Sequence, residues 1–258
     1  MRSLLAGAVG AAALLAASAT ALGGAFPVNP GAVVQGRPIT GTGQNLPPIV
    51  GKTWSQGASV FPQVSWYYES DALPRDQAQV AAAARSWVNR RIRTGCGGTG
   101  RAAVRRCKVA VVFDIDDTLM SSWPYSKVQD PPLSFHPDTW SAFVEACGYA
   151  PITPTIDLLN GLRRRGVYVA VISGGSEAIA TSFTSCLTRN GVQGWDQATF
   201  RPASSAGSTA AQFKATARAA LEKKGYAIIA SIGDQVSDMS WGHLERGFLL
   251  PNVMAHLA

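Results

Sequence analysis

The chain has 258 residues, 47% of them hydrophobic and 15% charged, and 23 Lys and Arg against 16 Asp and Glu give a formal charge of +7. That composition excludes a solvated disordered chain, and the 26 Gly and 15 Pro follow no collagen-like period, which excludes a fibre. No apolar run reaches the length of a membrane span, and the cationic excess suits acidic substrates or polyanionic surfaces without choosing between them.

In chain order, Arg2 precedes an apolar run from Leu4 to Ala17, and Ala19-Thr20-Ala21 follows as a small-x-small pattern. This predicts a secretory signal peptide over 1–21, cleaved near Ala21, because the run is short for a bilayer span. No Cys lies near the site, which argues against a lipid anchor. The expected location is therefore secreted, or periplasmic at the cell envelope. Residues 22–52 are rich in Gly, Pro, Asn and Gln and almost uncharged, with Pro27, Pro30, Pro38, Pro47 and Pro48. They read as a flexible linker, and 53–258 as one globular domain.

Export permits disulfides, and the four cysteines allow three pairings. Cys96 and Cys107 bracket a Gly- and Arg-rich stretch, which suggests a local staple. Cys147 and Cys186 would then pair across distance. Each of those two also sits at helical spacing with apolar residues (Trp140 and Phe143; Ile179 and Phe183), as a buried thiol would. Nothing in the Cys and His spacing suggests zinc.

Residues 74–93 read as a helix, with Pro74 in its first turn and Val80, Ala84, Trp87, Val88 and Ile92 on its apolar face. A basic Gly-rich loop is expected from Thr94 to Lys108. Units of strand and helix then alternate. Val109–Asp114, Val167–Ser173 and Ala227–Gly233 are continuous apolar runs, as strands buried on both faces are. Helices are expected from Thr153 to Arg165, from a Ser176 cap to near Gly191, and from a Thr209/Gln212 capping box to Gly225. The predicted fold is α/β, a doubly wound parallel sheet with an N-terminal helical extension. Residues 119–152 interrupt the alternation with Trp123, Tyr125, Phe135, Trp140, Phe143 and Tyr149. An insert at that end of a parallel sheet borders the ligand site, so it is expected as a small cap or, more plainly, as a packed helical insert.

The chemistry gathers at the strand ends. Phe113-Asp114-Ile115-Asp116-Asp117-Thr118 sends two carboxylates at i and i+2 from a buried strand toward one side. Acids this close repel unless a cation is present, and oxygen donors suit Mg2+ better than zinc. Gly233-Asp234-Gln235-Val236-Ser237-Asp238 ends another strand and brings further carboxylates to the same edge. Ser173-Gly174-Gly175 offers a hydroxyl and backbone N–H groups ahead of a helix, suited to an anion. Lys214 lies near the positive end of its helix, where a lysine is electrostatically misplaced, whereas Lys223 and Lys224 favour the dipole at the other end.

In this order the motifs resemble the haloacid dehalogenase superfamily of phosphohydrolases, over about Val109–Met254. The likeness is to its secreted acid phosphatases of the bacterial class B and plant storage-protein type. Phe113–Leu119, Gly233–Asp238 and Leu250-Pro-Asn-Val-Met254 carry it; Val236 stands where those relatives often have Trp. The resemblance implies Asp114 as a nucleophile that forms an aspartyl-phosphate and Asp116 as general acid and base. It implies Mg2+ held by Asp114, the Asp116 carbonyl and Asp234, with Asp238 orienting those ligands. Ser173, the Gly174 N–H and Lys214 would grip the phosphoryl oxygens.

The expected activity is thus an exported Mg2+-dependent phosphomonoesterase acting on small phosphate monoesters, nucleotides among them through base stacking on the aromatic insert. The main alternative is a non-catalytic exported binding or storage protein. A dehalogenase has no use for the acid at Asp116, and a sugar-nucleotide transferase has no place for Gly233–Asp238. No stable nucleic-acid partner is expected. The basic residues Arg90, Arg91, Arg93, Arg101, Arg105, Arg106 and Lys108 read first as a solvated loop and second as a polyanion site.

Overall fold

The computed structural model describes residues 33–34, 37–40, 57–205 and 207–254, with side chains from Phe61 onward. The expected signal peptide and most of the expected linker lie outside these residues. Strands β1 (Val33–Val34) and β2 (Arg37–Thr40) precede helices α1 (Gly57–Glu69), α2 (Ala72–Gly95) and α3 (Arg101–Cys107). Strand β3 (Val109–Phe113) leads into the insert, which holds β4 (Met120–Ser121), α4 (Trp123–Ser126), α5 (Pro137–Glu145) and β5 (Ala150–Pro151). Then come α6 (Thr153–Arg164), β6 (Tyr168–Ser176), α7 (Ala180–Arg189) and β7 (Gln197–Arg201). The last elements are α8 (Ala210–Lys223), β8 (Ala227–Gly233) and β9 (Gly247–Leu249).

The main sheet runs β1-β2-β9-β8-β3-β6-β7 and is parallel at every pairing except β1 with β2. Central β3 is buried along its whole length, which is why it reads as an unbroken apolar run. Its side chains alternate between two cores. Val109, Val111 and Phe113 join Val88 and Ile92 of α2, Leu158 and Leu159 of α6 and Phe183 of α7. Ala110 and Val112 join Phe213, Ala217 and Leu221 of α8 on the other face. Full burial of each large apolar side chain contributes about 1.5–3 kcal/mol. From β3 the chain passes to β6 and β7 on one side, then returns through α8 to β8 and β9 on the other. That reversal opens a crevice at the carboxyl ends of β3 and β8, the place where open α/β sheets bind ligands.

Several local signals act as expected. Pro154 lies in the first turn of α6, and Gly166 beyond its end takes φ 91°. The Thr209 hydroxyl accepts the Gln212 N–H at 3.2 Å while the Gln212 side chain accepts the Thr209 N–H at 2.9 Å, completing the capping box of α8. Both disulfides form, Cys96–Cys107 with Cα atoms 5.2 Å apart and Cys147–Cys186 with 5.3 Å. The first ties the end of α2 to the end of α3, and the second ties the insert to α7. No helix among the described residues is long and apolar enough to cross a membrane.

Other features depart from the sequence reading. The stretch Thr94–Lys108, expected as a loop, contains helix α3. Strands β1 and β2 lie within the expected linker and add a short flank to the sheet, because a few residues can pair there despite Pro38. Strand β6 does not stop at Ser173 but runs on through both glycines to Ser176, whose hydroxyl caps a 3-10 turn rather than α7 itself. Helix α1 was not foreseen; Pro62 within it breaks the usual helix signature. Its residues Val64 and Tyr67 form a third core with Leu133 and Trp123 of the insert and with Val253 and Met254 near the C-terminus.

Candidate active site

Asp114 is the first residue beyond β3, and its N–H donates to the Ile232 carbonyl at 3.0 Å, continuing the pairing with β8 to the sheet's edge. Asp234 follows Gly233, the last residue of β8. A short turn over Val236–Asp238 then folds back so closely that a Cβ on Gly233 would lie 2.0 Å from Asp238 Oδ2, which makes that glycine a steric necessity. The result is three buried carboxylates, of Asp114, Asp234 and Asp238, with oxygens within 4.8 Å of one another. Lys214 of α8 reaches into this group: its Nζ donates to Asp114 Oδ1 at 2.6 Å and to Asp238 Oδ1. The lysine that looked misplaced on its helix is held by two buried acids.

One ammonium does not balance three carboxylates. Burial pushes the Asp114 carboxyl up to about 8, with Lys214 opposing and the charges of Asp238 and Asp116 adding to the rise. Asp234 is also raised well above its ordinary value, by burial first and then by Asp238, Asp114 and Asp117. Burial opposes the charge of Lys214, but Asp114 and Asp238 outweigh it and hold the ammonium above its usual range. The surplus negative charge and the all-oxygen donor set fit a hard divalent cation.

Asp116 lies beside this cluster without joining it. Tyr149 donates to its Oδ1 at 2.5 Å, and the Ser173 hydroxyl lies 3.5 Å from its Oδ2. Burial raises the Asp116 carboxyl above its ordinary value, against the pull of Tyr149, the Lys214 charge and Ser173. The third acid of the motif is a turn residue. Asp117 has φ 54° and accepts from the Ser122 N–H at 2.9 Å and the Ser122 hydroxyl at 2.7 Å, closing the chain into the insert. Its carboxyl is raised to about 6, chiefly by burial.

Ser173 is fully buried, and its hydroxyl accepts the Gly175 N–H at 2.9 Å. The two glycines therefore sit in an extended strand end, not at a helix start. A Cβ at Gly175 would meet the Phe183 ring at 2.6 Å, and one at Gly174 would stand 3.9 Å from Lys214 Cε. Gly174 thus lies beside the lysine, on the wall of a cavity of about 320 Å³ that also exposes Asp116 and is faced by Tyr125, Phe135 and Trp140. Of the insert's aromatics, Trp123 stacks on Tyr68 of α1 at 4.8 Å. Phe143 packs on Tyr149 at 4.7 Å, and Tyr125 on Trp140 at 5.1 Å. Phe135 is 48% exposed at the cavity's rim.

Four supporting residues have no role in the sequence reading, although Thr118 and Asn252 stand inside its motifs and Tyr149 among its aromatics. Asn252 donates to Asp234 Oδ2 at 2.7 Å and accepts from Tyr68 of α1 at 2.8 Å, so the unforeseen helix reaches the carboxylate cluster through one amide. Thr118 donates to Asp234 Oδ1 at 3.2 Å. Arg218, fully buried one turn beyond Lys214, donates to the carbonyls of Asp238 (2.8 Å), Gly242 (3.0 Å) and Ser240, clamping the loop that carries Asp238. Tyr149 completes the set. An arginine four residues after the lysine on the same helix face was the available signal for Arg218; the others depend on contacts remote in sequence.

A family model described as HAD superfamily, subfamily IIIB (acid phosphatase), matches residues 57–257. The chain belongs to this family. The match starts with α1, well before Val109, in keeping with the tie from α1 to Asp234. "Acid phosphatase 1" of Solanum lycopersicum is 30% identical over 149 residues, 57% of this chain and 58% of that protein. "Vegetative storage protein 1" of Arabidopsis thaliana is 31% identical over 148 residues, 57% of this chain and 54% of that one. The chain thus spans little more than half the length of these relatives. Among solved structures, the class C acid phosphatase from Bacillus anthracis shares the fold with a TM-score of 0.61 at 15% identity, over 76% of this chain and 85% of that one.

Proposed function

We propose that this subfamily IIIB member is an exported, Mg2+-dependent phosphomonoesterase that works through an aspartyl-phosphate on Asp114. The observation that carries the reading is the Lys214 ammonium set between Asp114 and Asp238, with Asp116 two residues on, beside a cavity open to Gly174. A phosphomonoester dianion meets repulsion from any anionic nucleophile, so the site must supply positive charge and alignment. Lys214 supplies one charge. Asp114, Asp234 and the Asp116 main-chain carbonyl would hold a divalent cation such as Mg2+, which supplies further charge to the phosphoryl oxygens.

In the first half-reaction an Asp114 carboxylate oxygen bonds to phosphorus as the ester P–O bond breaks, and protonated Asp116 gives its proton to the departing oxygen. In the second, ionised Asp116 takes a proton from water, whose oxygen attacks phosphorus and frees Asp114 and inorganic phosphate. Both halves need Asp116 to alternate between states. Burial favours its neutral form and the Tyr149 hydrogen bond its charged form, so neither is locked. Ser173 and the Gly174 N–H are assigned to the phosphoryl oxygens alongside Lys214. The aromatic wall of Tyr125, Phe135 and Trp140 suits a flat organic group on the ester, nucleosides included.

The two disulfides suit an oxidising compartment, which agrees with the signal peptide read at residues 1–21. N-terminal sequencing of the exported protein should begin just after Ala21. The likeness to a vegetative storage protein supports a second reading, an exported storage protein with little catalysis. Hydrolysis of p-nitrophenyl phosphate from acid to neutral pH, with Mg2+, with EDTA and in Asp114→Asn, separates the two. Metal-dependent turnover lost in the variant supports the enzyme. A folded protein inert toward this ester and toward a panel of nucleotides and sugar phosphates supports storage.

A further inference from the structure

At the opposite edge of the sheet, beneath the amino ends of β3, β6 and β8, lies a second cavity of about 330 Å³ that plays no part in the chemistry above. Its charged lining is Arg101 and Arg105 of α3, Lys108, and Arg163 of α6, against the single acid Asp196. None of the four cations forms a salt bridge among the described residues. Asp196 is engaged elsewhere: its carboxylate accepts the Val169 N–H at 2.8 Å, and its own N–H donates to the Val169 carbonyl at 2.8 Å. The buried Nε of Arg163 has no hydrogen-bond partner among the described residues, although the same guanidinium donates to the Gln193 carbonyl at 3.2 Å. That nitrogen is closed to solvent, so the cavity's character comes from the combined charge of the four cations that line it and not from this one donor.

The arrangement is held in place rather than draped in solvent. The Cys96–Cys107 disulfide ties α3 to the end of α2. Helix α3 lies directly on Gly166, where a Cβ would come within 2.7 Å of the Arg101 carbonyl and 3.1 Å of Arg105 Cγ. The arginine stems thus pack on the turn after α6 while their heads line the cavity. Lys108, itself in a left-handed conformation at φ 53°, leans over the Tyr226 ring at 6.0 Å. We propose that this cavity is a binding site for a compact, multiply charged phosphate or pyrophosphate anion, distinct from the catalytic edge. Planar guanidinium forks match phosphate oxygens two at a time, and a recessed cavity this small suits a compact anion rather than a polymer. The five-residue strand β3 separates the two sites by about 16 Å, from its rise of about 3.3 Å per residue. The proposal therefore stands or falls independently of the phosphatase reading.

The test is a calorimetric titration of the full protein with methylene diphosphonate, a pyrophosphate analogue that phosphatases do not cleave, at low salt in EDTA. Without metal the catalytic edge lacks the divalent cation that would draw a multiply charged anion to it. One equivalent should bind the wild type. Arg101→Ser/Arg105→Ser should weaken that binding at least tenfold, while Arg90→Ser/Arg93→Ser, which removes the same charge from exposed positions outside the cavity, should leave it unchanged. If the double variant at the cavity does not fold, Arg105→Gln alone, at an exposed head, should weaken binding severalfold. Turnover of p-nitrophenyl phosphate should be the same in all the folded variants. Binding that survives loss of the cavity arginines, or that falls equally in both double variants, overturns the proposal.

Discussion

The two edges of the central sheet carry opposite charge imbalances built in different ways. At the carboxyl ends of β3 and β8, Asp114, Asp234 and Asp238 crowd around Lys214 with Asp116 and Asp117 alongside. At the amino ends, Arg101, Arg105, Lys108 and Arg163 face one aspartate whose carboxylate the backbone has claimed. The carboxylate cluster is buried, so its surplus charge acts in a low dielectric and shifts protonation by large amounts. Arg101 and Arg105 of α3 are exposed residues, so their surplus charge meets solvent and is screened by salt. Burial thus separates a cluster whose charges reshape one another's protonation from a basic cavity whose charges meet solvent.

Substitutions test that contrast from the strongest effect downward. Asp114→Asn should reduce p-nitrophenyl phosphate turnover to background with the melting temperature preserved; a kcat near wild type would remove Asp114 as nucleophile. Asp116→Asn should lower kcat by a factor of about 10²–10⁴, the range of general acid-base groups. An unchanged kcat would move that role to another group. Tyr149→Phe should lower kcat by about tenfold, in keeping with one hydrogen bond to a charged group. Little change in KM would mark Tyr149 as positioning Asp116 rather than gripping substrate, and a change in KM alone would contradict that role.

Effects on stability sharpen the comparison further. Replacing Cys96 and Cys107 together with Ser should cost about 2–4 kcal/mol in chemical denaturation while kcat stays at the wild-type value, since that bridge supports only the basal edge. A lost kcat in a folded variant would couple the two edges. The last test is that of pH on the metal-free protein. Asp114 is raised from 3.8 to about 8 and Asp117 to about 6, so the folded chain binds more protons than the unfolded one across that window. Stability should therefore fall as pH rises from 5 to 8. Calorimetric scans in EDTA should melt lower at pH 8 than at pH 5, and added Mg2+ should narrow the gap; a melting temperature that rises with pH would contradict the buried-acid account.

The acids of the carboxyl edge are legible because each sits at the end of an apolar run or in a turn, and such runs announce themselves within ten residues. The same locality made the α8 capping box readable, along with the helix starting at Thr153 and the strands from Val109, Val167 and Ala227. Strands β7 and β9 are short or only partly buried, and they are strands only because β6 and β8 offer them an edge. Helix α1, broken by Pro62 in its pattern, gains its place from packing on Trp123 and Met254. The partners of the reactive groups were illegible for a related reason: Tyr149 lies 33 residues from Asp116, and Asn252 lies 184 residues from Tyr68.

The basic stretch shows where the division falls. The sequence by itself determined the alternating α/β order, the acids at the strand ends and the surplus of arginines before β3, because hydrophobic period and local charge are properties of neighbouring residues. Only the tertiary structure decided that Lys214 stands between Asp114 and Asp238, that Asp117 closes a turn, and that Arg163 joins Arg101 and Arg105 around one cavity. Those outcomes follow from which helix packs on which face of the sheet, and that is set by long-range burial rather than by any local pattern.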